Sequence, residues 1–125
     1  MNEKTKILYV DDEKINLILF KHNFSKKYDV HTVLSGFEAL DFLDENPDVT
    51  LIISDLRMPI LDGIEFVTKA KEKHPTKKYF LLSGMEVTPK VQASLDMGLI
   101  LNYFKKPFDI NEILEELEKH TNHSS

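Results

Sequence analysis

The chain has 125 residues and a formal net charge of −5 at pH 7, and this length suits one globular domain with its own apolar core. It contains no cysteine, which excludes disulfides, thiolate metal sites and thiol catalysis. No run approaches the roughly 18 apolar residues of a membrane span, and no cluster of Lys and Arg suggests a nucleic-acid surface. We therefore expect a cytoplasmic protein that binds neither membranes nor nucleic acids directly.

Short apolar runs alternate with segments of helical periodicity along the chain. Five runs are predicted to be strands: Ile7–Val10, Val30–Leu34, Leu51–Ile53, Tyr79–Leu82 and a weaker one around Tyr103-Phe104. The first, third and fourth runs have the composition of strands that are buried on both faces. This alternation predicts an α/β fold built from five βα units around a parallel sheet, with residues 1–125 forming a single domain.

The segments between the strands are predicted to be helices. The first, about Lys14 to Ser25, is apolar over much of its circumference, so we expect it to be wedged between the sheet and neighbouring elements. The other helices carry these features: Ser35 with Glu38 as a capping pattern before the second, the stripe Gly63, Phe66, Val67 and Ala70 on the third, a weak fourth at about Pro89 to Met97, and Asp109 with Glu112 before the fifth. We expect a core of about residues 5–120 and a frayed tail over 121–125.

Polar residues follow four of the five predicted strands. They are Asp11-Asp12 after the first, Ser54-Asp55 after the third, Ser83-Gly84 after the fourth and Lys105-Lys106-Pro107 after the fifth. Right-handed crossovers bring the carboxyl ends of all strands to one edge of the sheet, so we expect these side chains to converge there.

Three carboxylates this close together repel one another unless a cation lies among them. Carboxylate oxygens without a nearby His or Cys suit Mg²⁺ best, with Mn²⁺ as the alternative. A carboxylate beside such a cation and an ammonium group can attack a phosphoryl group and hold it as an aspartyl phosphate.

The motifs VDDE, SDLRMPILDG, LLSG and YFKKPF occur in this order along nearly the whole chain. Together they resemble the receiver domain of a two-component response regulator. The resemblance implies the CheY-like, flavodoxin-like fold, a three-layer αβα sandwich with a five-stranded parallel sheet in the order 2-1-3-4-5. It also implies a cis bond between Lys106 and Pro107.

The same resemblance assigns roles to individual residues. Asp55 would be the phosphoacceptor, and Lys106 would pair with the phosphoryl oxygens. Asp12 would bind Mg²⁺ directly and Asp11 mainly through water. The metal would also take Asp55 and the backbone carbonyl of Arg57. Ser83 would move to hydrogen-bond the phosphoryl group, and Tyr103 stands at the aromatic position that turns inward with it.

A receiver domain of this kind implies a phosphoryl donor, which would be a sensor histidine kinase or a phosphotransfer protein. Because the domain is the substrate of its own modification, it is not an enzyme in the ordinary sense. The change would reach an unknown downstream partner through the fourth helix, fifth strand and fifth helix, and this face would also suit a phosphorylation-linked dimer. We slightly favour a single-domain messenger or relay over a receiver cut from a longer regulator.

Two residues near the acceptor bear on the lifetime of the phosphoryl group. In similar domains the positions of Arg57 and Met85 admit or block the attacking water. An Arg and a Met would shield the phosphoryl group, so we predict slow autodephosphorylation.

Two other functions remain as alternatives. A Mg²⁺-dependent phosphohydrolase with an Asp nucleophile needs an acid two residues after the nucleophile, where this chain has Arg57. A flavodoxin-like FMN carrier needs a phosphate-binding loop after the first strand, where Asp11-Asp12 would repel the phosphate.

Overall fold

The computed structural model describes residues 4–121, which form five strands and five helices in strict alternation. The strands are β1 (Thr5–Val10), β2 (Tyr28–Val33), β3 (Leu51–Asp55), β4 (Lys78–Ser83) and β5 (Asn102–Lys105). The helices are α1 (Lys14–Phe24), α2 (Gly36–Glu45), α3 (Gly63–Lys73), α4 (Pro89–Asp96) and α5 (Ile110–His120). Apart from Thr121, the predicted frayed tail lies outside the described residues.

The strands form one parallel sheet in the order β2-β1-β3-β4-β5. Apolar side chains of α2, α3 and α4 pack on one face of the sheet, and those of α1 and α5 pack on the other. Every residue of β3 and all but the first of β4 are buried, as is the second half of β1. The predicted three-layer, doubly wound fold is therefore confirmed. Within residues 4–121 no helix combines the length and apolarity that a bilayer crossing requires.

The start of α3 is held tightly against the end of β3. Asp62 caps the helix by accepting a hydrogen bond from the Glu65 backbone N–H at 2.8 Å, and the Glu65 carboxylate accepts one from the Asp62 N–H at 2.9 Å. A Cβ on Gly63 would lie 2.4 Å from the backbone oxygen of Asp55, so only glycine permits this approach. The sequence analysis did not identify this capping box.

Helix α1 differs from its prediction. Leu17, Phe20 and Phe24 pack on the sheet, but Ile15 and Ile18 are 66% and 63% exposed, and Leu19 is 48% exposed. The prediction that α1 is wedged between the sheet and neighbouring elements is wrong for its outer face, because α1 lies in an outer layer and, within residues 4–121, only its inner face has a neighbour to cover it. The helix therefore carries an exposed apolar stripe, Ile15, Ile18 and Leu19.

The loop between β3 and α3 contains a strained residue. Ile60 has a φ of 71°, a left-handed conformation that disfavours β-branched side chains, and it is 88% exposed. Since so little of its side chain is buried, packing offers almost no compensation for the strain.

We expect Ile60→Asn to stabilise the fold by about 1 kcal/mol, because Asn tolerates the left-handed conformation and little burial is lost. Urea denaturation measures the difference. The matched control is Ile18→Asn, at an exposed position within helix α1. This variant should give no gain, because Asn is no better a helix former than the Ile that it replaces. A free energy of unfolding that Ile60→Asn leaves unchanged or lowers would contradict the strain argument.

Candidate functional site

The predicted site residues meet at the carboxyl edge of the sheet. Asp11 and Asp12 directly follow β1, and Asp55 is the last residue of β3. Because β1 and β3 are hydrogen-bonded neighbours, the two strand ends lie side by side. Oxygen atoms of the three carboxylates lie within 4.8 Å of one another. Asp11 is fully buried, Asp55 is 7% exposed and Asp12 is exposed to solvent.

Lys106 lies between two of these carboxylates. Its Nζ donates to Asp11 Oδ2 at 3.1 Å and to Asp55 Oδ1 at 3.4 Å. Its backbone N–H donates to the carbonyl of Ser83 at 2.9 Å, which fixes the chain after β5 against the end of β4. The bond from Lys106 to Pro107 is cis, as the resemblance implied.

The charges of the site are unbalanced. Burial, and then the charge of Asp11, raise the pKa of Asp55 from 3.8 to about 6, against the opposing effect of Lys106. Burial lowers the pKa of Lys106, but the charges of Asp55 and Asp11 outweigh it, so the net shift is upward and Lys106 stays protonated. The site thus contains three carboxylates, and the ammonium group of Lys106 pairs with two of them.

The donor set fits a hard divalent cation. All three acidic side chains offer carboxylate oxygens, and no His or Cys belongs to the group found among residues 4–121. Such oxygen ligands suit Mg²⁺ or Mn²⁺ rather than the softer transition metals. Asp12 faces solvent, so the cluster is open to an incoming ion on that side.

The two predicted switch residues contact the loop after β4 rather than the acidic cluster. Ser83 is buried at the end of β4, and its Oγ accepts a hydrogen bond from the Met85 N–H at 3.3 Å. The Tyr103 hydroxyl, on partly buried β5, donates to the Met85 backbone carbonyl. Among the described residues, neither hydroxyl hydrogen-bonds a carboxylate of the cluster. Met85 joins the two switch residues through its backbone.

Arg57 and Met85, the residues predicted to control the phosphoryl lifetime, touch each other. Arg57 Nη1 lies 3.1 Å from Met85 Sδ, and both side chains are exposed. Their loops follow β3 and β4, which are neighbouring strands. The contact therefore bridges the two loops that flank Asp55.

Two side chains that the sequence analysis did not assign to the site also contact Asp11. The Tyr9 hydroxyl donates to Asp11 Oδ2 at 2.6 Å, and Asn16 Nδ2 donates to the same oxygen at 3.1 Å. Tyr9 belongs to a buried apolar strand, where a tyrosine ordinarily serves as core. The only signal in the sequence is its hydroxyl group, which needs a hydrogen-bond partner when it is buried.

Comparison with known proteins agrees with this geometry. The family model described as "Response regulator receiver domain" matches residues 7–118. The chain is 34% identical over 122 residues to sporulation initiation phosphotransferase F of Bacillus subtilis, covering 96% of this chain and 94% of the relative. It is also 28% identical over 120 residues to sensor kinase CckA of Brucella abortus, covering 92% of this chain but only 13% of that longer protein.

Among solved structures, chemotaxis protein CheY4 of Vibrio cholerae superposes with a TM-score of 0.85 at 26% identity, covering 94% of this chain and 98% of that one. Members of this family are phosphoryl-accepting regulators rather than enzymes in the ordinary sense, and they bind Mg²⁺ in an acidic pocket of the kind formed here by Asp11, Asp12 and Asp55. On its sequence, its fold and this cluster, the chain belongs to the response regulator receiver domain family.

Proposed function

We propose that this domain is a phosphorylation-dependent switch, in which a sensor histidine kinase or a phosphotransfer protein donates a phosphoryl group to Asp55. The observation that carries the proposal is the Asp55 carboxylate, nearly buried, 3.4 Å from the Lys106 ammonium and grouped with Asp11 and Asp12. An Asp55 oxygen attacks the phosphorus, the bond from phosphorus to the donor's histidine nitrogen breaks, and the nitrogen keeps the electron pair.

The neighbouring residues are assigned complementary roles. Asp12, Asp55 and the backbone carbonyl of Arg57 would hold Mg²⁺ directly, with Asp11 acting mainly through water. When bound, the metal neutralises charge on the phosphoryl oxygens. Lys106 already pairs with Asp55, so it can stay close and pair with the phosphoryl oxygens once they form.

We propose that Ser83 and Tyr103 carry the signal away from the site. If the Ser83 side chain moves its hydroxyl toward the phosphoryl group, the bond that Oγ accepts from the Met85 N–H is disturbed. The backbone carbonyl of Met85 accepts a hydrogen bond from the Tyr103 hydroxyl, so a shift of Met85 would be transmitted directly to β5. A local charge change would thus bias the position of an aromatic side chain.

The proposed output face comprises α4, β5 and α5. It exposes large apolar side chains at Met97, Leu101 and Ile110. Exposed apolar groups of this kind favour protein contacts. An unidentified target protein would bind this face, or a second phosphorylated copy would bind it to form a dimer.

The phosphoryl donor is proposed to dock beside α1. This helix begins three residues after Asp11 and carries the exposed apolar stripe of Ile15, Ile18 and Leu19. A histidine-bearing protein that reaches Asp55 would cover part of this stripe.

The cytoplasm is the proposed location of the protein, since phosphoryl donors of this class take their phosphoryl group from ATP.

A single-domain messenger or relay remains our proposal for the organisation of the protein. The relative from B. subtilis is covered over 94% of its length, whereas CckA has a domain of this kind within a much longer chain. Both arrangements occur among the relatives.

The two alternative functions are less well supported. Arg57 is exposed at the position where a phosphohydrolase requires an acid, and a guanidinium group does not give up its proton at neutral pH. An FMN phosphate would meet the carboxylates of Asp11 and Asp12 after β1. The FMN carrier also leaves the pairing of Lys106 with Asp55 unexplained.

The direct test is intact mass after incubation with Mg²⁺ and acetyl phosphate. We expect one added phosphoryl group that hydroxylamine removes, because an acyl phosphate is labile to this nucleophile. Asp55→Asn and a Mg²⁺-free sample are the controls, and both should abolish the label. A label that survives in Asp55→Asn would refute the assignment of the acceptor. Native mass spectrometry of the same sample tests the phosphorylation-linked dimer.

The raised pKa of Asp55 predicts a pH-dependent stability of the Mg²⁺-free protein. The folded protein holds the Asp55 proton up to a pH of about 6, whereas the unfolded chain releases it near 3.8, so stability falls as pH rises through this window. Asp55→Asn should therefore raise the free energy of unfolding at pH 7 by on the order of 2 kcal/mol, with the gain fading toward pH 4. Urea denaturation in EDTA at both pH values measures it, and an equal gain at both would contradict the electrostatic cause.

The contact between Arg57 and Met85 predicts slow loss of the phosphoryl group. We expect Arg57→Ala and Met85→Ala each to speed autodephosphorylation by roughly tenfold, equivalent to about 1.4 kcal/mol of barrier, because the attacking water gains access. Decay of the phosphorylated mass after removal of acetyl phosphate measures the rate. Met97→Ala, an exposed methionine on α4's C-terminal side, is the matched control. Fast decay in the unmodified protein that neither variant alters would refute the shielding argument.

A further inference from the structure

Tyr9 has a contact that its place in the core does not require. Its side chain is fully buried on β1, and its hydroxyl donates to Asp11 Oδ2 at 2.6 Å, the shortest of the hydrogen bonds that this carboxylate accepts. Residues two apart on a strand project to the same side, which brings the phenol group to the carboxylate.

The Tyr9 ring is held in place by other aromatic side chains. It stacks on Phe20 of α1 with a centroid separation of 4.2 Å and an angle of 13° between the planes. Phe20 packs in turn on Phe24, at 4.4 Å between centroids. A phenol group keeps its proton at neutral pH, so the hydroxyl can donate to the carboxylate. The hydroxyl is therefore a fixed donor.

The donors around Asp11 are unevenly divided between its two oxygens. Oδ2 accepts from Tyr9, from Asn16 Nδ2 at 3.1 Å and from Lys106 Nζ at 3.1 Å. Oδ1 accepts from the Glu13 backbone N–H at 3.0 Å. Each carboxylate oxygen has about two acceptor positions. Three donors occupy Oδ2, whereas a single donor at Oδ1 leaves one of its positions open. The arrangement fixes the rotation of the carboxylate and distinguishes one oxygen from the other.

We propose that Tyr9 is a positioning residue for the cation site: by holding Asp11 Oδ2, it leaves Oδ1 to the cation or to one of its water ligands. The proposal rests on the proposed Mg²⁺ site. Tyr9 acts through Asp11 and does not touch the metal or the phosphoryl group. Partners that orient a metal ligand in this way commonly affect metal affinity when they are removed.

Tyr9→Phe tests the proposal, because it keeps the ring and its stacking and removes only the hydroxyl. Isothermal titration with Mg²⁺ alone, on the 125-residue chain, measures the affinity without any phosphoryl donor. We expect the Kd for Mg²⁺ to rise roughly tenfold, the low end of the usual range for such partners.

Tyr79→Phe is the matched control. Tyr79 is also a buried tyrosine, and its hydroxyl donates to the backbone carbonyl of His74 at 3.0 Å, away from the acidic cluster. This variant loses an equivalent hydrogen bond, so a purely structural role for both hydroxyls would affect the two variants alike. We expect Tyr79→Phe to bind Mg²⁺ as the unmodified protein does.

Labelling by acetyl phosphate gives a second measurement. In Tyr9→Phe we expect the Mg²⁺ concentration for half-maximal labelling to rise with the Kd, while the rate at saturating Mg²⁺ stays within roughly threefold of the original. A merely less stable protein would not show this division between metal affinity and saturated rate.

An unchanged Kd in Tyr9→Phe, or an equal rise in Tyr79→Phe, would overturn the proposal and leave the proposed function intact. Absence of Mg²⁺ binding in the unmodified protein would instead overturn both. If Tyr9→Phe did not fold, Asn16→Ala removes a second donor from Asp11 Oδ2 at a partly exposed helix position. An unchanged Kd in that variant would then count against the proposal.

Discussion

This site depends on one constraint: three carboxylates and one ammonium group lie close together at the end of a buried sheet. Lys106 reaches both Asp11 and Asp55, but its single charge leaves an excess of negative charge in a region where burial disfavours ionised groups. Burial and the charge of Asp11 raise the pKa of Asp55, and the excess negative charge would favour a divalent cation in the cluster. It also explains why Asp11, fully buried, is surrounded by donors from Tyr9 and Asn16 as well as Lys106.

Met85 connects this chemistry to the outer surface. Its side chain touches Arg57, its N–H binds the hydroxyl of Ser83, and its carbonyl binds the hydroxyl of Tyr103. Met85 therefore contacts Arg57 in the loop after β3, Ser83 at the end of β4 and Tyr103 on β5. A movement of Met85 toward one of these neighbours would disturb its bonds to the others, so under the proposed function these contacts would couple Asp55 to the α4, β5 and α5 face.

Much of the fold and of the candidate site could be predicted from the sequence because both depend on strand order and on residues at strand ends. All five strands were located to within a few residues, and Asp11, Asp12, Asp55 and Lys106 meet as the parallel topology requires. The prediction for α1 was wrong on its outer face, because periodicity indicates that a helix has apolar residues but not whether a neighbour covers them. The capping box at α3 is a different case: its spacing was present in the sequence and was overlooked.

The sequence by itself determined the α/β architecture, the polar residues at the carboxyl edge of the sheet and the chemistry they permit, since these follow from local patterns and from the handedness of the crossovers. Only the tertiary structure decided which side chains touch. Tyr9 looks like core in the strand run, and its role depends on the short distance from its hydroxyl to Asp11, set by stacking on Phe20. The link from Ser83 to Tyr103 through Met85 likewise depends on side-chain rotamers and loop packing, which a linear pattern does not encode.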